Sequence, residues 1–511
     1  MRLAKGAGLL CSPRWMVLFV LTATPVLAAD TTGLAPDMWT RVRSVEPASI
    51  VLTPTASPPP PAKLSLRECL DLAFRHSADF RQNLQQLVDA RRALWVADQR
   101  AFYTAAASDR REQSPGGSPE TSLSSDATVR YEATTGGTVT AGAGTGTQQT
   151  LADVLAQQPS LTLSYDQPLL RGAGLASSTY ERIRSARVAL ATQELTFYDN
   201  RQDLAQRLTG DYFGVLLARG QVEIAQRSVD RAKQLYDINY AKFTGEGLKK
   251  PGEVWVSQVA EIDVDQARLS WEQSKQDMIS RQQDHRDAMS GLLLDMGFVP
   301  TGTPELTTTI AYRPQQYDEE TLVPIALTHS TQLGRLELSR QDTLAALRIA
   351  RSQHLPDVIA SAGVNDLGET LNGRTVSTGW FGGLRLEMPL FDRSRSEGVG
   401  RAECALSVLD QRRVAAGDQV TQEVQRQIRA ATSSRARIAI GEQSVALASK
   451  SREAAKGMYD EGLSDYLRVL DAEARLVQAE RSLLQEQVQY FLTTVRVRRA
   501  LGEDVSQGLP E

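Results

Sequence analysis

The chain has 511 residues and a formal net charge of −4, with 41% hydrophobic and 23% charged residues. This balance excludes a strongly basic nucleic-acid-binding protein. Beyond the N-terminal segment no run of about eighteen apolar residues occurs, so no transmembrane helix is expected in the mature chain.

The N-terminal segment has the three parts of a secretory signal peptide. Arg2, Lys5 and Arg14 precede an apolar run at 15–21, and small residues follow up to position 29. We therefore assign residues 1–29 to a signal peptide that is removed on export. Its removal takes away three positive charges and moves the formal balance from −4 to −7.

Residues 30–62 are predicted to form a Pro-rich N-terminal arm or linker. The segment ends close to the sequence PTASPPPP, and proline holds the backbone extended and cannot join a helix interior. We expect a tether or a surface-wrapping arm. A proline-motif ligand for a partner protein is the alternative.

The rest of the chain is a tandem repeat. The sequence AFRHSADF at 73–80 aligns with ALTHSTQL at 326–333, and LDMG at 294–297 aligns with RALG at 499–502. Each copy is expected to contain a short helix, a helix, a strand, a loop, a strand and a long helical hairpin. The predicted boundaries are a first repeat at 63–298, an inter-repeat linker at 299–320, a second repeat at 321–503 and a C-terminal tail at 504–511.

Four short strands are predicted, two in each repeat. Alternating apolar and polar residues mark strands at about 125–135 and 159–168, and again at about 357–366 and 379–389. The Gly- and Thr-rich stretch between the first two strands is expected to be a long loop. Pro168 and Pro389 are predicted strand-to-helix joints, because proline has no N–H with which to continue strand pairing.

The long helical patterns carry a coiled-coil type of apolar seam. In the second repeat the spacing of apolar residues from Leu467 to Val495 follows steps of three, four and seven. No proline interrupts either pattern for several tens of residues, and fifty helical residues span about 75 Å.

Gly-Leu pairs interrupt both helical patterns. They predict the tips of the two helical hairpins at Gly247, Leu248, Gly462 and Leu463.

An exported chain without an apolar helix can enter a membrane only as a closed β-barrel. Four strands are too few, because membrane barrels begin at about eight strands. Three copies of the chain would supply twelve, in the cyclic symmetry common among homo-oligomers.

The order and duplication of these elements resemble the outer-membrane efflux protein (TolC) family over residues 64–503. The motifs are the two strand-Pro-Leu-helix joints, EGLSDYLRVLDA at 461–472 and YFLTTVRVRRALG at 490–502. The resemblance implies a mainly α subunit with a small β part. It also implies a trimer in which a periplasmic α-helical barrel joins a 12-stranded outer-membrane β-barrel.

The implied function is that of an outer-membrane exit channel in a tripartite efflux pump or a type I secretion system. Its implied partners are two further copies of the chain, a periplasmic adaptor, an inner-membrane transporter of the RND, ABC or MFS type, and outer-membrane lipid. The implied location is the outer membrane of a Gram-negative-type bacterium, with most of the chain in the periplasm. The resemblance implies no cofactor, no enzymatic activity and no nucleic-acid partner, and the sequence does not indicate the cargo.

The resemblance places the periplasmic entrance and the adaptor-docking surface at the hairpin tips. Relatives carry an Asp-Val-Leu-Asp pattern there, and this chain has Arg468-Val469-Leu470-Asp471 instead. The second aspartate is kept as Asp471, whereas the basic residue Arg468 takes the place of the first aspartate. Tyr459 matches a tyrosine that helps to latch the entrance shut in relatives. Ser464 stands where the latch arginine would be.

Glu253 is the repeat-equivalent of Arg468. We hypothesise that the two side chains pair at the entrance and replace the missing latch. The alternative is that both are ordinary solvated charges, since exposed ion pairs contribute only about 0 to 1 kcal/mol.

The sequence disfavours three other classes of protein. A periplasmic coiled-coil adaptor (membrane fusion protein) has one helical hairpin, whereas this chain has two together with two strand pairs. A purely structural coiled coil would not need duplicated strands. An enzyme is disfavoured because the four histidines show no catalytic or metal-ligand spacing.

Overall fold

The computed structural model describes residues 61–100, 104–113, 121–150, 153–245, 259–300, 302, 304–308, 312, 314–365, 379–388, 393–461 and 463–506. The predicted signal peptide and nearly all of the Pro-rich arm lie outside these ranges. So do five of the predicted site residues: Gly247, Leu248, Glu253, Pro389 and Gly462.

The described part of the chain is mainly helical. The helices of the first repeat are α1 (Leu66–His76), α2 (Ala78–Arg100), α3 (Ser178–Thr244) and α4 (Glu261–Asp295). Those of the second repeat are α5 (Glu319–His329), α6 (Thr331–Ser352), α7 (Arg393–Asp460) and α8 (Tyr466–Ala500). None of these helices is long and apolar enough to cross a membrane.

Two of the helices are exceptionally long. Helix α3 has 67 residues and α7 has 68, so each spans about 100 Å. Helices α4 and α8 have 35 residues each; α4 packs along α3 and α8 packs along α7. Contacts between α3 and α8 join the two hairpins side by side.

Local sequence sets several helix ends. Ser65 and Glu68 form a capping box at the start of α1, in which each side chain accepts a hydrogen bond from the other residue's backbone N–H. Gly245 ends α3 in the left-handed conformation, with φ of 74°. A helix ending at this point agrees with the interruption read from the sequence.

The largest apolar core lies where the short helices of the first repeat meet α3, α4 and α8. Tyr212 and Phe213 of α3 are fully buried there. The Tyr212 hydroxyl donates to the Leu64 carbonyl oxygen at 3.1 Å and accepts from the Thr308 backbone N–H at 3.4 Å. The core therefore fixes the inter-repeat linker as well as the first strand.

The strands form two sheets. Strands β1 (Lys63–Leu64) and β6 (Glu305–Leu306) make a short parallel pair. The larger sheet has the order β2-β3-β4-β5-β7-β8 and is antiparallel throughout. Its strands are β2 (Thr104–Gln113), β3 (Thr121–Glu132), β4 (Thr138–Thr150), β5 (Asp153–Pro168), β7 (Asp357–Asn365) and β8 (Gly379–Glu387).

The predicted count of four strands per chain is therefore wrong, because the larger sheet of the described residues already has six. The first repeat contributes four strands to the larger sheet, because β4 occupies the Gly- and Thr-rich stretch that was predicted to be a loop and β2 is a further strand before β3. Glycine disfavours strands in isolation, but β3 and β5 pair with β4 along its length and supply ladder hydrogen bonds on both sides.

Glycine also has a positive role in β4. A Cβ atom at Gly142 would come within 2.8 Å of the Thr162 hydroxyl oxygen on β5. An alanine at this position would therefore require the Thr162 side chain to move.

The strand-to-helix joint of the first repeat follows Pro168, the last residue of β5. Strand pairing continues for one more residue, because the Leu169 N–H still donates to the Val358 carbonyl oxygen at 2.8 Å. Gly172 and Gly174 then take positive φ values of 72° and 58°, which lets the chain turn into α3.

Candidate functional site

The ends of all four long helices pack together at the tip of the molecule. Tyr459 near the end of α7, Tyr466 and Val469 of α8, Leu235 of α3 and Ala267 of α4 form one buried cluster. The Tyr459 and Tyr466 rings meet edge to face, with centroids 5.9 Å apart. This tip cluster holds the two hairpins against each other next to the predicted tips.

Tyr459 makes the main polar contact within the tip cluster. Its hydroxyl donates to Oδ1 of Asn239 at 2.5 Å, and both residues are buried. Because Asn239 lies on α3 and Tyr459 on α7, this hydrogen bond links the two repeats. Losing this hydrogen bond would leave the buried Oδ1 of Asn239 without a donor, which makes the contact with Tyr459 costly to lose.

The surroundings keep Tyr459 neutral. Burial is the largest cause that raises the pKa of its phenol to about 12, and the carboxylate of Asp263 adds to the shift. Lys242 lies over the Tyr459 ring at 4.8 Å from the centroid, and its ammonium is also 3.4 Å from the carboxylate of Asp460. Tyr459 therefore remains a hydrogen-bond donor at any physiological pH.

A charged network continues the contact between the repeats further along the helices. Nε of Arg231 on α3 lies 2.8 Å from Glu473 on α8, and Nε of Arg452 on α7 lies 3.4 Å from the same carboxylate. The side chains of Arg231 and Glu473 are only 16% exposed, so solvent screens this pair less than a surface pair. Three helices are thus tied to one carboxylate.

The other predicted entrance residues that the structure describes do not join the tip cluster. Arg468 is exposed in the first turn of α8 and makes no ion pair with a carboxylate in the described part of the chain. Asp471 pairs with Arg475 of its own helix at 2.8 Å, and both side chains are largely exposed. Ser464 is half-buried beside the tip, and Leu463 is 73% exposed.

Sequence reasoning identified Tyr459 but missed its partner. No sequence motif marks Asn239 and Lys242, because their contact with Tyr459 depends on how α3 packs against α7. Glu473 was missed for the same reason. A charged residue on the buried side of an apolar seam was the signal that could have pointed to it.

A second functional feature is the face of the six-stranded sheet that carries apolar side chains. One row of directly paired residues crosses five strands: Val129, Ala141, Leu163, Val364 and Trp380. Strand alternation places the neighbouring rows that contain Tyr165 and Leu384 on the same face. These large side chains are exposed, with Leu163 at 40% and Trp380 at 84%.

The opposite face of the sheet is polar. The adjacent paired row contains Arg130, Thr140 and Ser164. On the same face the Ser361 hydroxyl donates to the carboxylate of Asp166 at 2.6 Å. An extended sheet with one exposed apolar face and one polar face has the pattern of a wall between lipid and water.

A metal centre does not form among the described residues. They contain no group of three or more His, Cys, Asp or Glu side chains placed to hold a metal ion.

The fold defines the class of protein: a mainly helical chain in which two helices about 100 Å long accompany an antiparallel β-sheet with one exposed apolar face. Residues 322–503 match the family model described as outer membrane efflux protein. The predicted resemblance to this family is thereby confirmed.

Individual relatives agree with the family model. Outer membrane protein TolC of Vibrio cholerae serotype O1 is 23% identical over 369 residues, which cover 66% of this chain and 80% of that protein. The solved structure of the outer membrane protein VceC from Vibrio cholerae matches with a TM-score of 0.63 and 18% identity, over 86% of this chain and 96% of that one.

The Campylobacter jejuni CmeC outer membrane channel matches with a TM-score of 0.63 and 15% identity, over 87% of each chain. The predicted outer-membrane location is confirmed by the family model and by the TolC relative, both of which are described as outer-membrane proteins.

Proposed function

We propose that this chain is the subunit of a trimeric outer-membrane exit channel. The single observation that carries the proposal is the exposed apolar face of the sheet, which continues through the Pro168 joint into α3, a helix of about 100 Å. In this arrangement the sheet closes into a barrel within the lipid, and the helices of three copies form a tunnel through the periplasm. The polar face of the sheet lines the water-filled path.

The channel works as the outer part of a tripartite efflux pump or a type I secretion system. A periplasmic adaptor docks at the helical tips, and an inner-membrane transporter supplies the substrate and the energy. The subunit itself performs no catalysis. The rival function, a periplasmic adaptor, is not favoured, because the family model and the relatives describe outer-membrane proteins and channels.

Membrane fractionation and planar-bilayer recording test the proposed function. The purified protein should sediment with outer membranes, run as a trimer that dissociates on heating, and conduct ions when reconstituted in a bilayer. A protein that stays monomeric in the soluble fraction and shows no conductance would rule the proposal out.

The tip cluster is proposed to hold the periplasmic entrance closed. Tyr459→Phe removes the hydroxyl that bonds Asn239 and leaves a buried amide oxygen without its donor. Loss of such a bond costs about 1 to 3 kcal/mol, so the open fraction should rise by a factor of about 5 to 150. Bilayer conductance measures this rise.

Tyr240→Phe is the matched control for this substitution. Tyr240 follows Asn239 directly on α3, and its side chain is 42% exposed. Its conductance should equal that of the unmodified channel. Equal conductance of Tyr459→Phe and Tyr240→Phe would show that the Tyr459 bond does not hold the entrance.

Arg468 and Glu253 are proposed to form an additional latch. The proposal is supported by the exposed position of Arg468 in the first turn of α8 and by the repeat-equivalence of the two residues. Arg468→Glu should raise conductance by up to about fivefold, because an exposed ion pair contributes at most about 1 kcal/mol and this free energy corresponds to a factor of about five. Adding Glu253→Arg should restore closure, whereas unchanged conductance in Arg468→Glu would refute the latch.

A further inference from the structure

A polar cleft opens where α2 and α8 both pack against α3. Its volume of about 680 Å³ is large enough for a small molecule. Every residue that lines it is polar or charged, apart from Gly210. We call it the arginine cleft, after the charged side chains that line it: Arg207, Arg496 and Arg499, together with Asp79 and Asp203.

The charges of the arginine cleft do not cancel. Arg207 lies 3.4 Å from the carboxylate of Asp79, and Arg499 pairs with Asp203. Arg496 is exposed and makes no ion pair with a carboxylate in the described part of the chain. Three arginines therefore face two aspartates, which leaves one guanidinium charge in the cleft without a counter-ion.

The walls of the arginine cleft are tied together without a ligand. Nδ2 of Asn200 on α3 donates to Oδ1 of Asn83 on α2 at 2.9 Å. Nη1 of Arg499 on α8 donates to Oε1 of Gln206 on α3 at 2.8 Å. Because these side chains are already held, a ligand that enters the cleft pays little for ordering them.

The arginine cleft lies on the side of α3 that faces away from the largest apolar core. Leu208 and Tyr212 belong to that core, whereas Asp203 and Gly210 line the cleft. At about 100° per residue, the two pairs lie about 170° apart around the helix. In the proposed trimer the long helices form the tunnel wall, and the core adds α1, β1 and β6 to one side of it. That bulk belongs outside an open tunnel, so the cleft faces the lumen.

We propose that the arginine cleft binds a carboxylate or phosphate group, so that each subunit carries an anion-binding site on the inner wall of the tunnel. The inference rests on the proposed trimeric channel, and it adds anionic molecules to the cargo that the channel passes. A guanidinium group is planar and always charged, and it donates two parallel N–H bonds to an oxyanion. Arg496 is the arginine whose N–H donors are free for such a ligand.

Calorimetric titration of the purified trimer measures binding, with citrate and inorganic phosphate as separate probes. The unmodified trimer should bind at least one of them, with one site in each subunit. Arg496→Gln should weaken that binding by about tenfold or more, because it removes charge-assisted hydrogen bonds while keeping a polar side chain. Retention of full affinity by Arg496→Gln would overturn the inference.

Arg475→Gln is the matched control. Arg475 lies on the same helix, about 30 Å from Arg496, and its exposed side chain pairs with Asp471 outside the cleft. Its removal takes the same charge from each subunit and should leave the affinity unchanged. An equal loss of affinity in both variants would mean that the tunnel attracts anions by its overall charge, which contradicts a local site.

Bilayer recording tests whether the arginine cleft faces the lumen. The bound probe should lower the single-channel current of the unmodified trimer and leave that of Arg496→Gln nearly unchanged. Binding in the calorimeter without an effect on the current would place the cleft outside the tunnel and overturn the inference. A conducting trimer that binds neither probe also overturns it but leaves the exit channel intact, whereas a monomer without conductance means that the proposed function itself has failed.

Discussion

Leu163→Arg is expected to reduce the amount of trimer in the outer membrane by more than tenfold. Leu163 lies in the apolar row of the sheet and is exposed on that face. Arginine on the lipid face near the middle of a membrane costs about 2 to 4 kcal/mol in each subunit, and 1.4 kcal/mol already corresponds to a factor of ten. Quantitative blotting of the heat-dissociable trimer in outer-membrane fractions measures the loss.

Ser164→Arg is the control for this substitution, because strand alternation places the adjacent side chain on the polar face. The same charge at the next residue should leave assembly close to that of the unmodified protein. If both variants assemble equally well, the apolar face does not meet lipid. If both fail equally, the strand tolerates no arginine, and the difference between the two faces carries no functional meaning.

The helical architecture could be predicted from the sequence because its signals are local. The apolar seam and the absence of proline predicted the long helices. Gly245, at the interruption of the first pattern, takes the left-handed conformation that ends α3. Pro168 likewise is the last residue of β5, as the strand-to-helix pattern predicted.

The sheet was harder to predict because strand formation depends on neighbours. The β4 sequence TVTAGAGTGTQQT contains the residues typical of a loop, and only its pairing with β3 and β5 makes it a strand. The same limit applies to the candidate site. Tyr459 could be assigned by resemblance, but its partner Asn239 lies 220 residues earlier in the chain, so the contact follows only from helix packing.

Two repeat-equivalent glycines provide the other large expected effect, which is on stability. Gly297 follows α4 and Gly502 follows α8, with φ values of 84° and 71°. The Phe298 N–H donates to the Leu293 carbonyl oxygen at 2.8 Å, and the corresponding bonds after α8 have the same spacing. Each repeat thus ends in a Schellman motif, which needs a left-handed residue.

Both glycines also lie against the junction between the first two helices of their own repeat. A Cβ atom at Gly297 would lie 2.6 Å from the His76 carbonyl oxygen. A Cβ atom at Gly502 would lie 2.7 Å from Cβ of His329. His76 and His329 are themselves repeat-equivalents, so the duplication has preserved a contact between the start and the end of each copy.

Gly297→Ala and Gly502→Ala are each expected to destabilise the subunit by about 2 kcal/mol or more, because a left-handed alanine costs about 1 to 2 kcal/mol and the clash with backbone atoms adds to it. Gly210→Ala is the control. Gly210 lies inside α3 with nothing within 4 Å of its added Cβ, so alanine should stabilise the helix by about 0.5 to 1 kcal/mol. Thermal unfolding followed by tryptophan fluorescence should therefore show opposite shifts. The prediction is contradicted if the thermal unfolding midpoint of Gly297→Ala equals or exceeds that of Gly210→Ala. In that case the contact between Gly297 and His76 accommodates a Cβ atom without strain, and a glycine after α4 is not needed for stability.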